Sequence, residues 1–301
     1  MFDEFKYTTE RNDKYARQMG EYDSIEIDNK EIPDIMLDVF GEGIEYNPQA
    51  MGANRMSPLS VYITNEYCNQ FGITLKDLYS INSHGLRCDE LTKQHDGKHI
   101  LFAGCSVTFG EGVPLEHTWA HKTYTKISEK EKTSGYYNIA QSGSSSNWII
   151  IQVLKYIRDY GVPDVLFINF PDATRELGYV ENKELIQSLT VNLYAVMVSQ
   201  IQAAGGKVYS FSWDARVNDG YKGEDQALDV DARLRMTDFF RYNEVTEKHQ
   251  HVFKFVSAYK DTGTFVDRFL MFAMDDGHPG LAEHDFYAHF AYEVYSGKRG
   301  G

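Results

Sequence analysis

The sequence predicts an α/β fold with a parallel sheet. From residue 98 onward, short segments rich in β-branched and aromatic residues alternate with longer segments of helix-like spacing. This alternation implies parallel strands, right-handed crossovers and helices on both faces of the sheet. At 301 residues and 42% hydrophobic, the chain can also bury one large core and keep material for an extension.

Each element follows from the same pattern. The predicted strands are residues 99–103, 136–140, 164–169 and 207–212, with a fifth candidate at 252–257. The predicted helices are residues 119–128, 147–160, 184–204 and 280–294. For the last helix, the expected buried side chains are Leu281, Phe286, Phe290 and Val294.

A serine follows the first predicted strand in a turn of small residues, GCSVTFG at 104–110. Ligands of α/β proteins bind at this carboxyl edge of a parallel sheet. A serine becomes a nucleophile when an imidazole takes its proton, and a carboxylate then fixes the tautomer of that imidazole. The loop DDGHP at 275–279 supplies both groups. The sequence therefore predicts Ser106 as nucleophile, His278 as general base and Asp275 as the group that orients His278.

These two blocks resemble those of the SGNH (GDSL-type) hydrolase family, which read Gly-Asp-Ser-x-Thr-x-Gly and Asp-x-x-His-Pro. Cys105 stands here in place of the aspartate beside the nucleophile. The resemblance implies a three-layer α/β/α, flavodoxin-like parallel sheet. It also implies ester hydrolysis through an acyl-enzyme on Ser106.

The same resemblance supplies candidates for the oxyanion hole, beginning with the Ser106 N–H. The segment YNIAQSG at 137–143 looks like the family's second block, which makes Gly143 a donor. The third block, Gly-x-Asn-Asp, matches least well, because Pro171 stands where the asparagine is expected. Asn169, on the same strand face, is one substitute. Asn147 is the other, although it also suits a helix cap.

Other interpretations of this turn are disfavoured. Cys105 could act as the nucleophile, but the register of Gly104 and Thr108 matches a serine at 106. An α/β-hydrolase elbow needs glycine where Thr108 stands. A phosphate loop needs a Gly-Lys pair that does not follow Gly104.

Two histidine pairs have spacings that bear on metal binding. His117 and His121 have four-residue spacing with Glu116 beside them, but no third ligand is evident. His284 and His289 are five residues apart and do not share a helical face, so surface or packing roles are expected. We therefore predict no metal and no cofactor.

Composition limits the partners and the compartment. The formal charge of −14, with no basic patch, disfavours nucleic acid and anionic membranes as partners. No apolar run approaches the roughly 20 residues that span a bilayer. Three cysteines and a start without a basic and apolar leader predict a reducing, cytoplasmic location.

The chain divides into an N-terminal extension, residues 1–97, and a hydrolase domain, residues 98–301. The domain contains an insertion at about 213–264, well placed to shape a substrate pocket. Residues 82–87 look like a lead-in that precedes the nucleophile strand in some extended family members. We expect this lead-in to pack beside the active site.

The first functional hypothesis is an esterase that removes a small acyl group, such as acetyl, from a carbohydrate. Family precedent and the 21 tyrosines and 3 tryptophans favour that substrate. The second hypothesis is a non-catalytic structural or binding protein, for instance virion-associated, that self-assembles through residues 1–97. A third is acyl transfer to a sugar or another alcohol instead of water.

Overall fold

The computed structural model describes residues 74–171, 183–212, 232–235 and 278–297, together with Thr64, Cys68 and Gly72. Asp275, the predicted strand at 252–257 and most of the 213–264 segment lie outside the described residues, as does nearly all of the chain before Gly72. Within the described ranges, no helix combines the length and apolar character needed to cross a bilayer.

A parallel sheet forms the centre of the described part of the chain. Its strands are β1 (Ile100–Gly104), β2 (Tyr137–Asn138), β3 (Val165–Phe170), β4 (Lys207–Ser212) and β5 (Ala232–Arg235). All neighbouring pairs are parallel, in the spatial order β2-β1-β3-β4-β5. This is the flavodoxin-like order, whose direction reverses between β1 and β3. The predicted fold class is confirmed.

Helices flank this sheet. They are α1 (Leu75–Leu78), α2 (Ser106–Phe109), α3 (Trp119–Ser128), α4 (Ser146–Tyr160), α5 (Lys183–Ala203) and α6 (Leu281–Tyr295). α3 packs against α6, while α4 packs against both α5 and β1. α5 also contacts β4. These pairings bury the apolar side of each long helix.

Aromatic rings fix β1 at the middle of the core. Phe102, Phe167 and Tyr209 are register neighbours on β1, β3 and β4. Their rings stack with centroids 5.2 Å apart across β1 and β3 and 5.1 Å apart across β3 and β4. Trp119 of α3 packs edge-on against Phe102, and Tyr295 of α6 contacts Phe167. α3 and α6 therefore cover the same face of the sheet.

The long helices start and end close to their predicted bounds. α3 has the predicted range, and the other three are shifted by one residue at one or both ends. α4 begins at Ser146 because the Ser145 side chain caps it, accepting a hydrogen bond from the Trp148 N–H at 3.4 Å. Asn147 is therefore not the cap of this helix, contrary to the alternative interpretation of that residue.

Two features differ from what the sequence predicts. Phe290 and Val294 of α6 pack against the core as expected, although they and Leu281 are only half-buried. Among the described side chains of α6, the least exposed are His284, Tyr287, Ala288 and Ala291, which the apolar pattern does not single out. The two alanines allow α3 to approach closely. β5 was not predicted at all, and it lies within the segment interpreted as an insertion.

His284 is a buried neutral residue in the α3–α6 contact. It is 0% exposed, and its Nδ1 accepts a hydrogen bond from the Trp119 N–H at 3.1 Å. Burial lowers the pKa of His284 from its ordinary 6.5 to about 3, since the charged ring would lose its hydration. The packing role expected of this histidine follows from that environment.

This shift predicts a stability that depends on pH. The folded state excludes a proton that the unfolded chain binds below pH 6.5, so the contribution of His284 is complete above that value. As the pH falls toward 3, this residue should lower the free energy of unfolding by about 1.4 kcal/mol per pH unit. His284→Asn keeps an acceptor for the Trp119 N–H and should flatten the slope, measured by urea unfolding between about pH 5 and about pH 7. Equal slopes in the two proteins would contradict the prediction.

Candidate active site

Ser106 lies at the carboxyl edge of the sheet, where β1 turns into α2. It is the first residue of α2 and only 2% exposed. The chain then wraps around it, because the N–H groups of Gly110 and Glu111 both donate to the Ser106 carbonyl oxygen, at 2.8 and 3.1 Å. Gly110 ends the helix with a left-handed φ of +79°. This tight turn places Ser106 beside the point where the strand order reverses.

Close packing explains why the first block begins with glycine. A Cβ on Gly104 would lie 2.1 Å from Thr108 Oγ1 and 3.0 Å from the Asn169 carbonyl oxygen. Gly104 and Asn169 are register partners on β1 and β3. The glycine and threonine of the block therefore bring the Ser106 turn against the end of β3.

The two candidate asparagines have different environments. Asn169 is 0% exposed, and both its Nδ2 and its Oδ1 lack a hydrogen-bond partner among the described residues. The Oδ1 of Asn147 accepts a hydrogen bond from Thr190 of α5. Buried amides are seldom left unsatisfied, because each lost hydrogen bond is unfavourable. Asn169 is thus a buried donor beside the nucleophile turn.

Gly143 occupies an open turn after β2. Its φ is +71°, and a Cβ there would meet nothing within 4 Å. Neither its N–H nor that of Ser106 donates a hydrogen bond to another described residue. Both groups are therefore available to bind a negatively charged oxygen.

His278 contacts a carboxylate that the sequence analysis missed. Its Nε2 lies 3.6 Å from Oε2 of Glu111, whose side chain is only 3% exposed. The Ser142 hydroxyl donates to the same Oε2 at 2.7 Å. No hydrogen bond joins Ser106 Oγ to His278. In enzymes without bound substrate, the distance between a nucleophile and its base is often long and shortens only when substrate binds. Asp275 lies outside the described residues.

Glu111 is therefore where the three sequence blocks meet. Its backbone N–H bonds Ser106, and its carboxylate contacts both Ser142, next to Gly143, and His278. The signal in the sequence is a single acidic residue inside the otherwise uncharged stretch 105–115. That signal has no periodicity, and only the folded structure shows what the side chain touches.

The histidines considered as metal ligands have other surroundings. The His117 Nε2 lies 4.0 Å from a carboxylate oxygen of its neighbour Glu116. The His121 ring packs edge-on against Tyr136, with centroids 5.1 Å apart. Across the described ranges, no group of three or more His, Cys, Asp or Glu side chains is arranged to hold a metal ion.

The lead-in at 82–87 positions a buried arginine against the loop that follows Ser106. The Asn82 side chain accepts hydrogen bonds from the N–H groups of His84 and Leu86, which shapes the turn. Arg87, 0% exposed, then donates to four carbonyl oxygens at 2.7 to 3.2 Å. Those carbonyls belong to Leu78, Phe109, Gly110 and Val113. The lead-in thus packs against the loop that follows Ser106.

Comparison with known proteins finds similarity only among solved structures. No protein-family model and no curated protein matches the chain. The psychrotrophic esterase EstA from Pseudoalteromonas sp., in a structure inhibited by monoethylphosphonate, is 13% identical with a TM-score of 0.42, covering 65% of this chain and 96% of that one. TesA is 15% identical with a TM-score of 0.38, covering 65% and 96%. A lipolytic protein of the G-D-S-L family from Veillonella parvula DSM 2008 is 14% identical with a TM-score of 0.37, covering 65% and 97%.

The environment of Arg87 predicts a large effect on stability. Arg87→Met keeps much of the side-chain volume but leaves four buried carbonyls without their donor, so the free energy of unfolding should fall by about 3 kcal/mol or more. Arg158→Met is the matched control, because Arg158 is exposed on α4, and it should change stability by less than about 0.5 kcal/mol. Urea unfolding measures both. A loss in Arg87→Met no larger than in the control would contradict this account.

Proposed function

We propose that this chain is an SGNH-type serine hydrolase that cleaves esters through an acyl-enzyme on Ser106. One observation carries the proposal: the Ser106 turn, the Ser142–Gly143 turn and His278 converge at the carboxyl edge of the sheet. They come from three blocks that are far apart in the sequence. A serine, an imidazole and backbone N–H groups that bind no other described residue suit acyl transfer when they lie at one edge of the sheet.

In the proposed reaction, Ser106 Oγ attacks the ester carbonyl while His278 takes its proton. The N–H groups of Ser106 and Gly143 bind the oxyanion of the tetrahedral intermediate. His278 returns the proton to the departing alcohol, which leaves the acyl group on Ser106. Water then attacks with His278 again as base, releasing the acid, and Asp275 orients the imidazole throughout.

The third oxyanion donor is proposed to be Asn169. Its amide is buried beside the nucleophile turn with no partner among the described residues, so an oxyanion would satisfy it. Asn147 is the less suitable candidate, because its amide oxygen is already bound by Thr190.

The proposed substrate is a small acyl ester, most simply an acetyl ester of a carbohydrate. A nucleophile that is only 2% exposed favours a short acyl group over a long chain. The 21 tyrosines and 3 tryptophans supply rings that can pack against sugar faces. Carbohydrate as the alcohol portion rests on this composition and on the family resemblance.

The first test combines ester hydrolysis with covalent labelling. The wild type should react with a fluorophosphonate probe and should hydrolyse p-nitrophenyl acetate faster than longer esters. Ser106→Ala should abolish labelling, and both Ser106→Ala and His278→Ala should lower kcat by about 1,000-fold or more. Ser128→Ala, at the exposed end of α3, is the control and should retain activity. A folded wild type that is neither labelled nor active would instead favour the non-catalytic binding protein.

The second test separates stability from catalysis at the two asparagines. Asn169→Leu removes an amide without a partner, so it should leave the free energy of unfolding unchanged or raised while kcat falls about 100-fold. Asn147→Leu removes the Thr190 hydrogen bond, so it should lower stability by about 1 kcal/mol with less than about a tenfold loss of kcat. The reverse pattern would assign the donor to Asn147.

A further inference from the structure

Glu111 is a buried carboxylate that the proposed reaction does not use. Its side chain is 3% exposed, and burying a charged group is unfavourable unless partners stabilise it. Its partners include the Ser142 hydroxyl, at 2.7 Å, and His278 Nε2, at 3.6 Å. Both belong to blocks of the proposed active site.

The backbone holds this carboxylate in place. Its own N–H donates to the Ser106 carbonyl oxygen at 3.1 Å, and Arg87 binds the carbonyls of Gly110 and Val113 on either side of it. Ser142 then fixes the carboxylate from the neighbouring turn. The position of Glu111 relative to Ser106 is thus set by the same loop that presents the nucleophile.

We propose that Glu111 is a positioning residue for His278, stabilising the imidazolium that forms when His278 takes the Ser106 proton. This inference rests on the proposed function. At 3.6 Å the contact has the length of an ion pair and exceeds that of a hydrogen bond. Glu111 can therefore attract the charged ring while Nε2 still receives the serine proton.

Among the described residues, the titratable groups near His278 include Glu111 and His284. Glu111 acts from the nucleophile loop, and Asp275, by resemblance, acts from the loop that carries His278 itself. His284 of α6 also influences this site, but it is neutral above about pH 3. A carboxylate within about 4–6 Å favours the charged form of an imidazole. Loss of the Glu111 charge should therefore lower the pKa of His278.

The experiment measures this pKa directly, by NMR titration of the His278 ring with His278→Gln used for assignment. Glu111→Gln keeps an acceptor for Ser142 but removes the charge, and it should lower the pKa of His278 by about one unit. The acid limb of kcat/KM should move down by the same amount, and kcat should fall about tenfold. Glu116→Gln, an equal charge change at an exposed site on the following turn, should change neither quantity.

Glu111→Asp keeps the charge but shortens the side chain by one methylene. In this variant, the pKa of His278 and the kcat should both lie between those of the wild type and Glu111→Gln. It also tests the inference if Glu111→Gln does not fold. The positioning role is wrong if the Glu111 variants still turn over substrate and the pKa of His278 in them equals that in Glu116→Gln. If the wild type shows no labelling or turnover but the pKa still shifts, the ion pair stands and the hydrolase assignment fails.

Discussion

The buried guanidinium of Arg87 is the interaction on which the described site depends. It binds the carbonyl of Leu78 before β1, the carbonyl of Phe109 at the end of α2 and two carbonyls of the loop that follows α2. Transferring a charged group from water into the core has an unfavourable free energy. Here four hydrogen bonds stabilise the guanidinium, as do the rings of Tyr79 and Phe109, whose centroids lie 4.8 and 5.7 Å from Arg87 Cζ. The segment before the sheet is therefore part of the site's support.

These contacts explain why few residue types fit in the turn that carries Ser106. Gly110 must adopt a left-handed φ, and a Cβ on it would lie 2.2 Å from Thr118 Cγ2 and 3.1 Å from Arg87 Nη1. Gly104 is equally restricted by Thr108 and Asn169. The glycines of the block are thus required by packing around Ser106.

The sequence predicts what depends on regular spacing and local capping. The four long helices lie within one residue of their predicted bounds, because helical periodicity is repeated over three or more turns. The alternation of elements similarly predicts the parallel sheet. β5 is too short and too rich in arginine to carry such a signal, and α6 buries alanines whose contribution lies in close approach and not in hydrophobic size.

The residues of the site divide in the same way. Ser106 stands in a motif, whereas Glu111 and the different environments of Asn147 and Asn169 become visible only through tertiary contacts.

Two buried polar side chains lie at the carboxyl edge of the sheet, Asn169 and Glu111. The Asn169 amide is fully enclosed without a partner among the described residues, which costs about 1–3 kcal/mol relative to a satisfied group. An apolar side chain at this position would pack in the core without an unsatisfied polar group, as the buried side chains of Phe167 and Ile168 on the same strand do. Nearby, the Glu111 carboxyl group is only 3% exposed, at a position where a neutral residue could equally accept the Ser142 hydrogen bond. Packing of the sheet requires neither polar group, and in the proposed reaction a hydrogen-bond donor and a negative charge at these two places would bind an oxyanion and an imidazolium.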